Sequence, residues 1–279
     1  MPVSEIQDLE DPRLAPYRDL KQNSRTRWTR WVIAEGWRVT KRLLQSPLQI
    51  ESVLMSEKRL ETLQNIVPDH VPLLVLSHEA CKSLVGFNFH AGILAAAHRP
   101  KRVEFADWAV DCRAIEPVVA LPEINDPDNV GLIARTAAAL GIRKMILSTH
   151  SSDPYSRRCL RLSMGAVLRL SIFESSRIEE HLTQLHSDHG FTLCASVCDP
   201  DAIDIAQWQV PDRSILVLGN ESDGLSECYE SLCQQRFTIP IASGIDSLNV
   251  STATGIMLYE WSRQRRYPPT QTGSLERID

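Results

Sequence analysis

The sequence predicts an α/β protein in two parts: a small α/β domain, followed by a domain built on a parallel sheet. Apolar runs of strand length alternate with segments of helical period, this alternation stops at residues 101–113 and restarts, and the later runs are apolar throughout. Continuous apolar strands between helices are typical of a parallel sheet that is covered on both faces. The 279 residues are enough for two domains with a core each.

The first part is predicted to be an arm followed by a compact domain. Residues 1–30 are polar and interrupted by prolines, so we expect an arm or a loosely docked helix. Apolar residues at helical spacing predict a helix at 31–44, and the domain is expected to span 31–105. Its other predicted elements are a strand at 50–55, a helix at 56–65, a strand at 71–77, a helix at 78–84 and an apolar segment at 92–97.

The second part, residues 112–267, is predicted to be the parallel-sheet domain, and 268–279 a flexible tail. Its last helix is expected to have Asp246 or Ser247 as N-cap. Ligands of parallel sheets bind beyond the carboxyl ends of the strands, so the loops 125–129, 219–224 and 242–247 are expected to meet at one rim. The remaining predicted strands are 116–121, 144–148, 191–197, 214–219 and 237–241, and the remaining helices are 130–140, 155–164, 178–186 and 226–234.

Composition argues against several classes of protein. No run of eighteen apolar residues exists and the N-terminus has no hydrophobic signal core, so we expect neither a membrane protein nor an exported one. The seven cysteines are an odd number without paired zinc-type spacing, which favours reduced thiols, a cytoplasmic location and no metal.

Basic residues are clustered although the formal net charge is −5. One cluster is at 21–30, and another begins with Arg157, Arg158 and Arg161. Local patches govern phosphate contact more than net charge does, so we predict that these three arginines contact RNA. Ordinary solvated arginines are the alternative.

Three loops carry the residues that point to chemistry. The first reads Asn129-x-Gly131-x-x-x-Arg135, and the second, straight after an apolar strand, reads Gly219-x-Glu221-x-x-Gly224. The third follows Ile239-Pro240 and contains Ser247-Leu248-Asn249-Val250-Ser251. None of them is a dinucleotide fingerprint or a Walker loop, so NAD and P-loop chemistry are poorly supported. The acidic second loop favours a neutral or cationic cofactor over a phosphate.

Taken in this order, the three loops resemble the SpoU (TrmH) family of RNA ribose 2′-O-methyltransferases over residues 115–262. A fourth stretch, Arg161-Leu-Ser-Met-Gly165-Ala166, is similar to the basic, small-residue segment that this family has between its first two motifs. Residues 31–98 more weakly resemble the substrate-binding domain of part of the family, which is akin to a small RNA-binding ribosomal-protein fold.

The resemblance implies a C-terminal domain with a deep trefoil knot, a homodimer formed through it, and S-adenosylmethionine held mainly by backbone groups of the second and third loops. It places Leu218, Gly219, Ile239, Leu248 and Asn249 around that cofactor. It implies a site in which Arg135 acts on the ribose hydroxyl. The residues expected to orient Arg135, the ribose or the cofactor are Asn129, Glu221, Ser247 and Asn249.

A guanidinium is a poor base, because its unperturbed pKa is above 12. We therefore expect Arg135 to position a phosphate and stabilise the developing alkoxide, unless strong desolvation lets it accept the proton. Structured rRNA is favoured over tRNA as substrate. The alternatives are an RNA-binding protein that has kept the fold without catalysis, and an unrelated α/β enzyme with chance matches.

The third loop departs from the family pattern in one respect. The family has Met-x-Gly after Ile-Pro, whereas here the glycine is displaced to Gly244. If the backbone at Ser243 had to adopt a positive φ, cofactor binding would be weakened. The spacing from Ile239 to Leu248 is kept, so we expect the pocket to survive.

Overall fold

The structure, a computed structural model, describes residues 3–21, 29–110, 117–220 and 222–265. Its first domain is a five-stranded mixed sheet in the order β1-β4-β3-β5-β2. The elements of this domain are β1 Val3–Glu5, β2 Trp31–Glu35, α1 Trp37–Leu44, β3 Ile50–Ser56, α2 Leu60–Leu63, β4 Leu73–Leu76, α3 His78–Val85 and β5 Ile93–His98.

The predicted helix at 31–44 is wrong for its first five residues. Residues Trp31–Glu35 are strand β2, which pairs antiparallel with β5, and the chain turns into α1 at Gly36 with φ of 84°. Val32 and Ala34 face one core, whereas Ile33 faces the other. The four apolar residues 31–34 fit both periods, and sheet pairing decided between them.

The N-terminal segment is docked, where we expected an arm or a loosely docked helix. Strand β1 extends the sheet by pairing parallel with β4. Beyond it, Tyr17 is fully buried and its hydroxyl donates to the backbone oxygen of Ser52 at 2.8 Å. Residues 22–28, which include Arg25 and Arg27 of the predicted basic cluster, lie outside the described residues.

The second domain is a seven-stranded sheet in which every pair is parallel, in the order β10-β12-β9-β11-β6-β7-β8. The all-parallel sheet confirms the predicted fold class. After α4 Phe105–Val110, the elements are β6 Val118–Leu121, α5 Pro127–Ala139, β7 Lys144–Ser148, α6 Arg157–Leu162, β8 Ser171–Ser175, α7 Ile178–Ser187, β9 Thr192–Ser196, β10 Ile203–Asp204, β11 Ser214–Val217, α8 Glu227–Glu230, β12 Gln235–Thr238 and α9 Val250–Arg265.

Two edge strands and one helix length differ from the sequence-based prediction. Strands β8 and β10 were not predicted, because both lie at sheet edges, where polar residues are tolerated. The helix predicted at 226–234 is only the four residues of α8. The other predicted elements of this domain are present, with ends that differ by at most three residues.

Each face of the second sheet has its own core. Helices α5, α6 and α9 cover one face, where Val119, Leu147 and Leu216 are fully buried. Helices α4, α7 and α8 cover the other, over Ala120 and Ile215. The first core continues into the first domain through α1 and β2, so a single apolar cluster joins the two domains.

Ion pairs reinforce the junction between the domains. Arg99, which follows β5, donates to both carboxylate oxygens of Asp153 at 2.7 and 3.0 Å and to Glu174 at 2.7 Å. Its guanidinium also lies 5.0 Å from the centre of the Tyr155 ring. A bidentate pair of this kind fixes geometry more strongly than a single contact does.

Candidate active site

A cavity of about 450 Å³ opens beyond the carboxyl ends of β12, β9 and β11, which are neighbours in the sheet. The loops after these strands form its walls and α9 closes one side. The residues that line it fall within four stretches: 196–199, 218–225, 230–241 and 246–257. The second and third loops predicted from the sequence therefore meet here, and the first meets the second at a polar depression shared by Asn125 and Asn220.

Both apolar side chains and carboxylates line the cavity. Leu218, Ile239 and Leu248, predicted to hold the cofactor, all line it. Carboxylates of Asp199 and Asp223 line it as well. Such a lining fits a ligand that combines an apolar ring with cationic groups.

Gly219 also lines the cavity, and the loop itself leaves no room there for a side chain. A Cβ at this position would overlap the backbone of Gly224 and Leu225, because the loop folds back on itself. The Asn220 N–H donates to the Gly224 carbonyl at 2.8 Å, and the Asn220 side-chain oxygen accepts from the N–H groups of Ser222 and Asp223. Glu221, predicted as a site residue, lies outside the described residues.

The start of α9 is fixed by Asn249, and not by the predicted Asp246 or Ser247. The Asn249 side-chain oxygen accepts from the Ser251 N–H at 2.9 Å and from the Ser251 hydroxyl at 2.6 Å. Its amide nitrogen donates to the side-chain oxygen of Asn129 at 3.0 Å. One side chain thus caps α9 and links the third loop to the first, across 120 residues of sequence.

The first loop leads into α5, whose N-cap is Asp126. Pro127 occupies the first turn, and Asn129 follows it with only 4% of its surface exposed. Gly131, the conspicuous glycine of the first motif, lies where a Cβ would be 2.9 Å from the Cys159 carbonyl oxygen. This glycine therefore serves the close packing of α5 against α6.

Arg135 is exposed on α5 two turns beyond Asn129. Six positions separate the two, so they lie on different sides of the helix. Among the described residues, no hydrogen bond or ion pair holds the Arg135 guanidinium. Its side chain is exposed to solvent.

Residues 116–259, more than half of the chain, match the model of the SpoU rRNA Methylase family. This chain belongs to the SpoU family. Its members are RNA 2′-O-methyltransferases. The family match confirms the resemblance that the three loops indicated.

Relatives of known name cover most of the chain. An uncharacterized tRNA/rRNA methyltransferase of Mycobacterium bovis is 31% identical over 272 residues, which are 94% of this chain and 92% of that protein. The 23S rRNA (guanosine-2′-O-)-methyltransferase RlmB of Acinetobacter baylyi is 27% identical over 213 residues, 75% of this chain and 86% of that one. The crystal structure of the AdoMet-bound rRNA methyltransferase of Sinorhizobium meliloti superimposes with a TM-score of 0.76 at 25% identity, over 94% of this chain and 98% of that chain.

Gly244, the displaced glycine of the third loop, itself adopts the positive φ. Its φ is 87°, and Ser243 is not among the residues with positive φ. The turn is closed by the Ile245 N–H, which donates to the Ala242 carbonyl at 3.3 Å. Ser247, predicted as a site residue, follows this turn and lines the cavity. The displaced glycine therefore imposes no positive φ on Ser243.

The three arginines predicted to contact RNA have different surroundings in this SpoU domain. Arg157 is half-buried, paired with Glu35 at 3.2 Å and stacked on the Phe87 ring at 4.0 Å. Arg158 pairs with Asp128. Arg161 alone has no ion pair among the described residues. Their contact with RNA stays a prediction, and carboxylates already neutralise two of them.

Sequence reasoning missed the residues that line the cavity after β9. Cys198 and Asp199 belong to this lining, as does Arg236 of β12, which pairs with Asp199. A hydrogen bond from the Asp201 N–H and the Arg236 guanidinium hold the pKa of Asp199 below its usual range. For Cys198 and Asp199, the signal available in the sequence was their position at the end of a predicted parallel strand.

No helix in residues 3–21, 29–110, 117–220 and 222–265 has the length and apolarity needed to cross a bilayer. In the same residues, no three His, Cys, Asp or Glu side chains come together as a metal site.

Proposed function

We propose that this protein methylates a ribose 2′-hydroxyl in structured RNA, with S-adenosylmethionine as the methyl donor. The observation that carries the proposal is the junction of the three loops. The second and third enclose the cavity, and the Asn129–Asn249 hydrogen bond fixes the first loop to its edge. Membership of the SpoU family supports this chemistry independently.

The residues around the cavity fit S-adenosylmethionine. Its volume of about 450 Å³ is in the range of sites for ligands of this size. Leu218, Ile239 and Leu248 would pack on the adenosine, and the missing side chain at Gly219 leaves backbone groups open to it. The carboxylates that line the cavity suit a ligand with a sulfonium and an ammonium group. When bound, this cofactor supplies an activated methyl group.

In this proposal the chain contributes position and charge. Asn249 and Asn129, held to each other, orient the third and first loops around the ribose. Arg135, a solvated cation in the present structure, would bind a substrate phosphate and stabilise the alkoxide that develops at the 2′-oxygen. Ser247 lies at the cavity and is a further candidate to hold the ribose.

We favour rRNA over tRNA as the substrate. The relative from Acinetobacter baylyi is named as a 23S rRNA methyltransferase and the Sinorhizobium meliloti protein as an rRNA methyltransferase, whereas the Mycobacterium bovis relative is named for both RNAs. The family resemblance further implies a trefoil knot and a homodimer formed through the knotted domain. Sedimentation of the purified protein would test the dimer.

A second candidate is an RNA-binding protein that has kept the fold without catalysis. Its motivation is the net charge of −5 and the displaced Gly244. The absence of a positive φ at Ser243 and the Asn129–Asn249 link speak for the enzyme.

The proposal is tested by methyl transfer from labelled S-adenosylmethionine to purified rRNA and to tRNA. Arg135→Ala should lower the rate by about two to three orders of magnitude, because a preorganised charge at the reacting oxygen is lost. Stability should stay within about 0.5 kcal/mol, since the side chain is exposed. Arg177→Ala, which removes an exposed arginine paired with Glu180, is the matched control and should keep full activity. Full activity of Arg135→Ala would contradict the role of Arg135, and cofactor binding without transfer to any RNA would favour the second candidate.

A further inference from the structure

Four exposed arginines from the two domains lie close to one another. Arg38 and Arg42 are on α1 of the first domain. Arg135 is on α5, and Arg169 ends a short 3₁₀ helix, Ala166–Arg169, that packs against α5. Among the described residues, none of the four is paired with a carboxylate. We call this set the junction arginines.

Arg42 holds α1 of the first domain against the turn that precedes the 3₁₀ helix of the second domain. Its guanidinium donates to the Met164 carbonyl, in the turn between α6 and the 3₁₀ helix. Its Cβ and Cδ lie 3.3 Å from where a Cβ on Gly165 would be, and Gly165 has φ of 76°. The small residue in the Arg161–Ala166 stretch therefore lets a side chain of the first domain lie over the second.

The junction arginines act on one another electrically. Partial burial first, and then the charges of Arg169, Arg135 and Arg38, lower the pKa of Arg42. Several other exposed arginines of the protein are matched by carboxylates, as Arg13 is by Asp11. Two further examples of such pairs are Arg177 with Glu180 and Arg263 with Glu260.

Unneutralised like charges in a protein of net charge −5 indicate an anionic partner. The cluster includes Arg135, the residue expected to act on the ribose. A chain of phosphates that crosses from α1 to α5 would satisfy all four cations at once. A flexible polyanion can do this more readily than a single small anion, because its charges are spaced along a backbone.

We propose that the junction arginines form one phosphate-binding surface, on which the RNA backbone runs from the first domain to the catalytic loops. The inference rests on the proposed function and adds the path of the substrate. The first domain then contributes charge to the binding of the substrate backbone through Arg38 and Arg42. The docking of Arg42 over Gly165 sets the position of that contribution relative to Arg135.

The test compares two triple variants with the same change in charge. The junction variant is Arg38→Ala, Arg42→Ala and Arg169→Ala, with Arg135 left in place. The control variant is Arg13→Ala, Arg177→Ala and Arg263→Ala, three exposed arginines that have carboxylate partners. Binding of fluorescein-labelled single-stranded RNA of mixed sequence is measured against salt concentration.

Each phosphate contact contributes about 0.7 to the log–log salt slope on single strands. The junction variant should therefore have a slope flatter by about 1–2 units, and the control variant should keep the wild-type slope. Equal slopes in all three proteins, or equal flattening in both variants, would overturn the proposal.

Removing Arg42 also removes its contact with Met164, which can disturb the domain junction. A double variant that keeps Arg42 controls for this effect. Arg38→Ala with Arg169→Ala leaves that contact and should flatten the slope by about 0.7–1.4 units. A wild-type slope in this double variant contradicts the proposal. If the wild type transfers methyl groups and all slopes are equal, the proposed function stands and the phosphate-binding surface is contradicted. If the slopes flatten but no methyl transfer occurs, the surface stands and the proposed function is contradicted.

Discussion

At the scale of single residues, the cavity that we propose for the cofactor depends on the absence of a side chain at Gly219. The conformation of this glycine has negative φ and is open to any residue, so the requirement is one of space. Motif glycines are commonly assigned to special backbone angles. Here the backbone of Gly224 and Leu225 occupies the position that a Cβ would need.

Gly219→Ala should therefore abolish S-adenosylmethionine binding, because even one methyl group forces the second loop open. Gly255→Ala is the control, since a Cβ there would meet Thr136 at 3.7 Å, an ordinary contact. In α9 this change should raise stability by about 0.5–1 kcal/mol. Calorimetric titration of both variants with the cofactor makes the comparison. Undiminished affinity in a folded Gly219→Ala protein would place the cofactor elsewhere.

Cys198 offers a test of the same cavity without substitution. It is exposed and lines the cavity, whereas Cys228 is exposed outside it. S-adenosylmethionine at ten times its Kd should slow alkylation of Cys198 about tenfold and leave Cys228 unaffected. Buried Cys194 should stay unmodified at pH 8, because burial raises its pKa to about 12. Mass spectrometry of the labelled peptides measures the three rates, and equal rates for Cys198 with and without cofactor would contradict the assignment of the cavity.

At the scale of elements, the first turn of α9 joins stability to the site. Asn249 caps the helix with its side-chain oxygen and contacts Asn129 with its nitrogen. These two contributions of the Asn249 side chain can be separated, because a serine at this position can also cap a helix but has no amide nitrogen to donate to Asn129.

Asn249→Ser should keep the cap and lose the link, so stability should change little and methyl transfer should fall. Asn249→Ala should lose both, at a cost of about 1 kcal/mol of unfolding free energy. Denaturant unfolding and methyl-transfer rates of the two variants separate these effects. If the serine variant were fully active, the link to Asn129 would have no role in the reaction.

At the scale of the whole molecule, the relation between the domains is set by a shared apolar core and by the Arg99 ion pairs. Asp153 is 7% exposed and Glu174 17%, so neither carboxylate is well solvated without Arg99. Removing Arg99 would leave the charges of Asp153 and Glu174 uncompensated.

Arg99→Ala should therefore lower the free energy of unfolding by about 2–4 kcal/mol, and can separate the two domains into distinct transitions. The neighbouring Arg102→Ala, at an exposed position, should change it by less than about 0.5 kcal/mol. Urea unfolding followed by tryptophan fluorescence measures both. A single transition with wild-type stability in Arg99→Ala would show that the apolar core alone holds the domains.

Much of the fold followed from the sequence because local patterns determine it. Continuous apolar strands between amphipathic helices specify a buried parallel sheet, and the carboxyl ends of such strands define one rim. The motif loops therefore had to meet at that rim, and the cavity lies there. Residues 31–35 were ambiguous, because the four apolar positions 31–34 satisfy a helix and a strand equally.

The sequence by itself determined the α/β class, the two-part organisation and the family, since these depend on periodicity and on motifs within short stretches. Tertiary structure decided which groups meet across long separations. Asn249 caps α9 and contacts Asn129, Gly131 admits α6, and Arg42 comes to lie over Gly165 beside Arg135. No local pattern relates residues that lie tens to more than a hundred positions apart, because their distance is set by how sheets and helices pack, and packing depends on the whole chain at once.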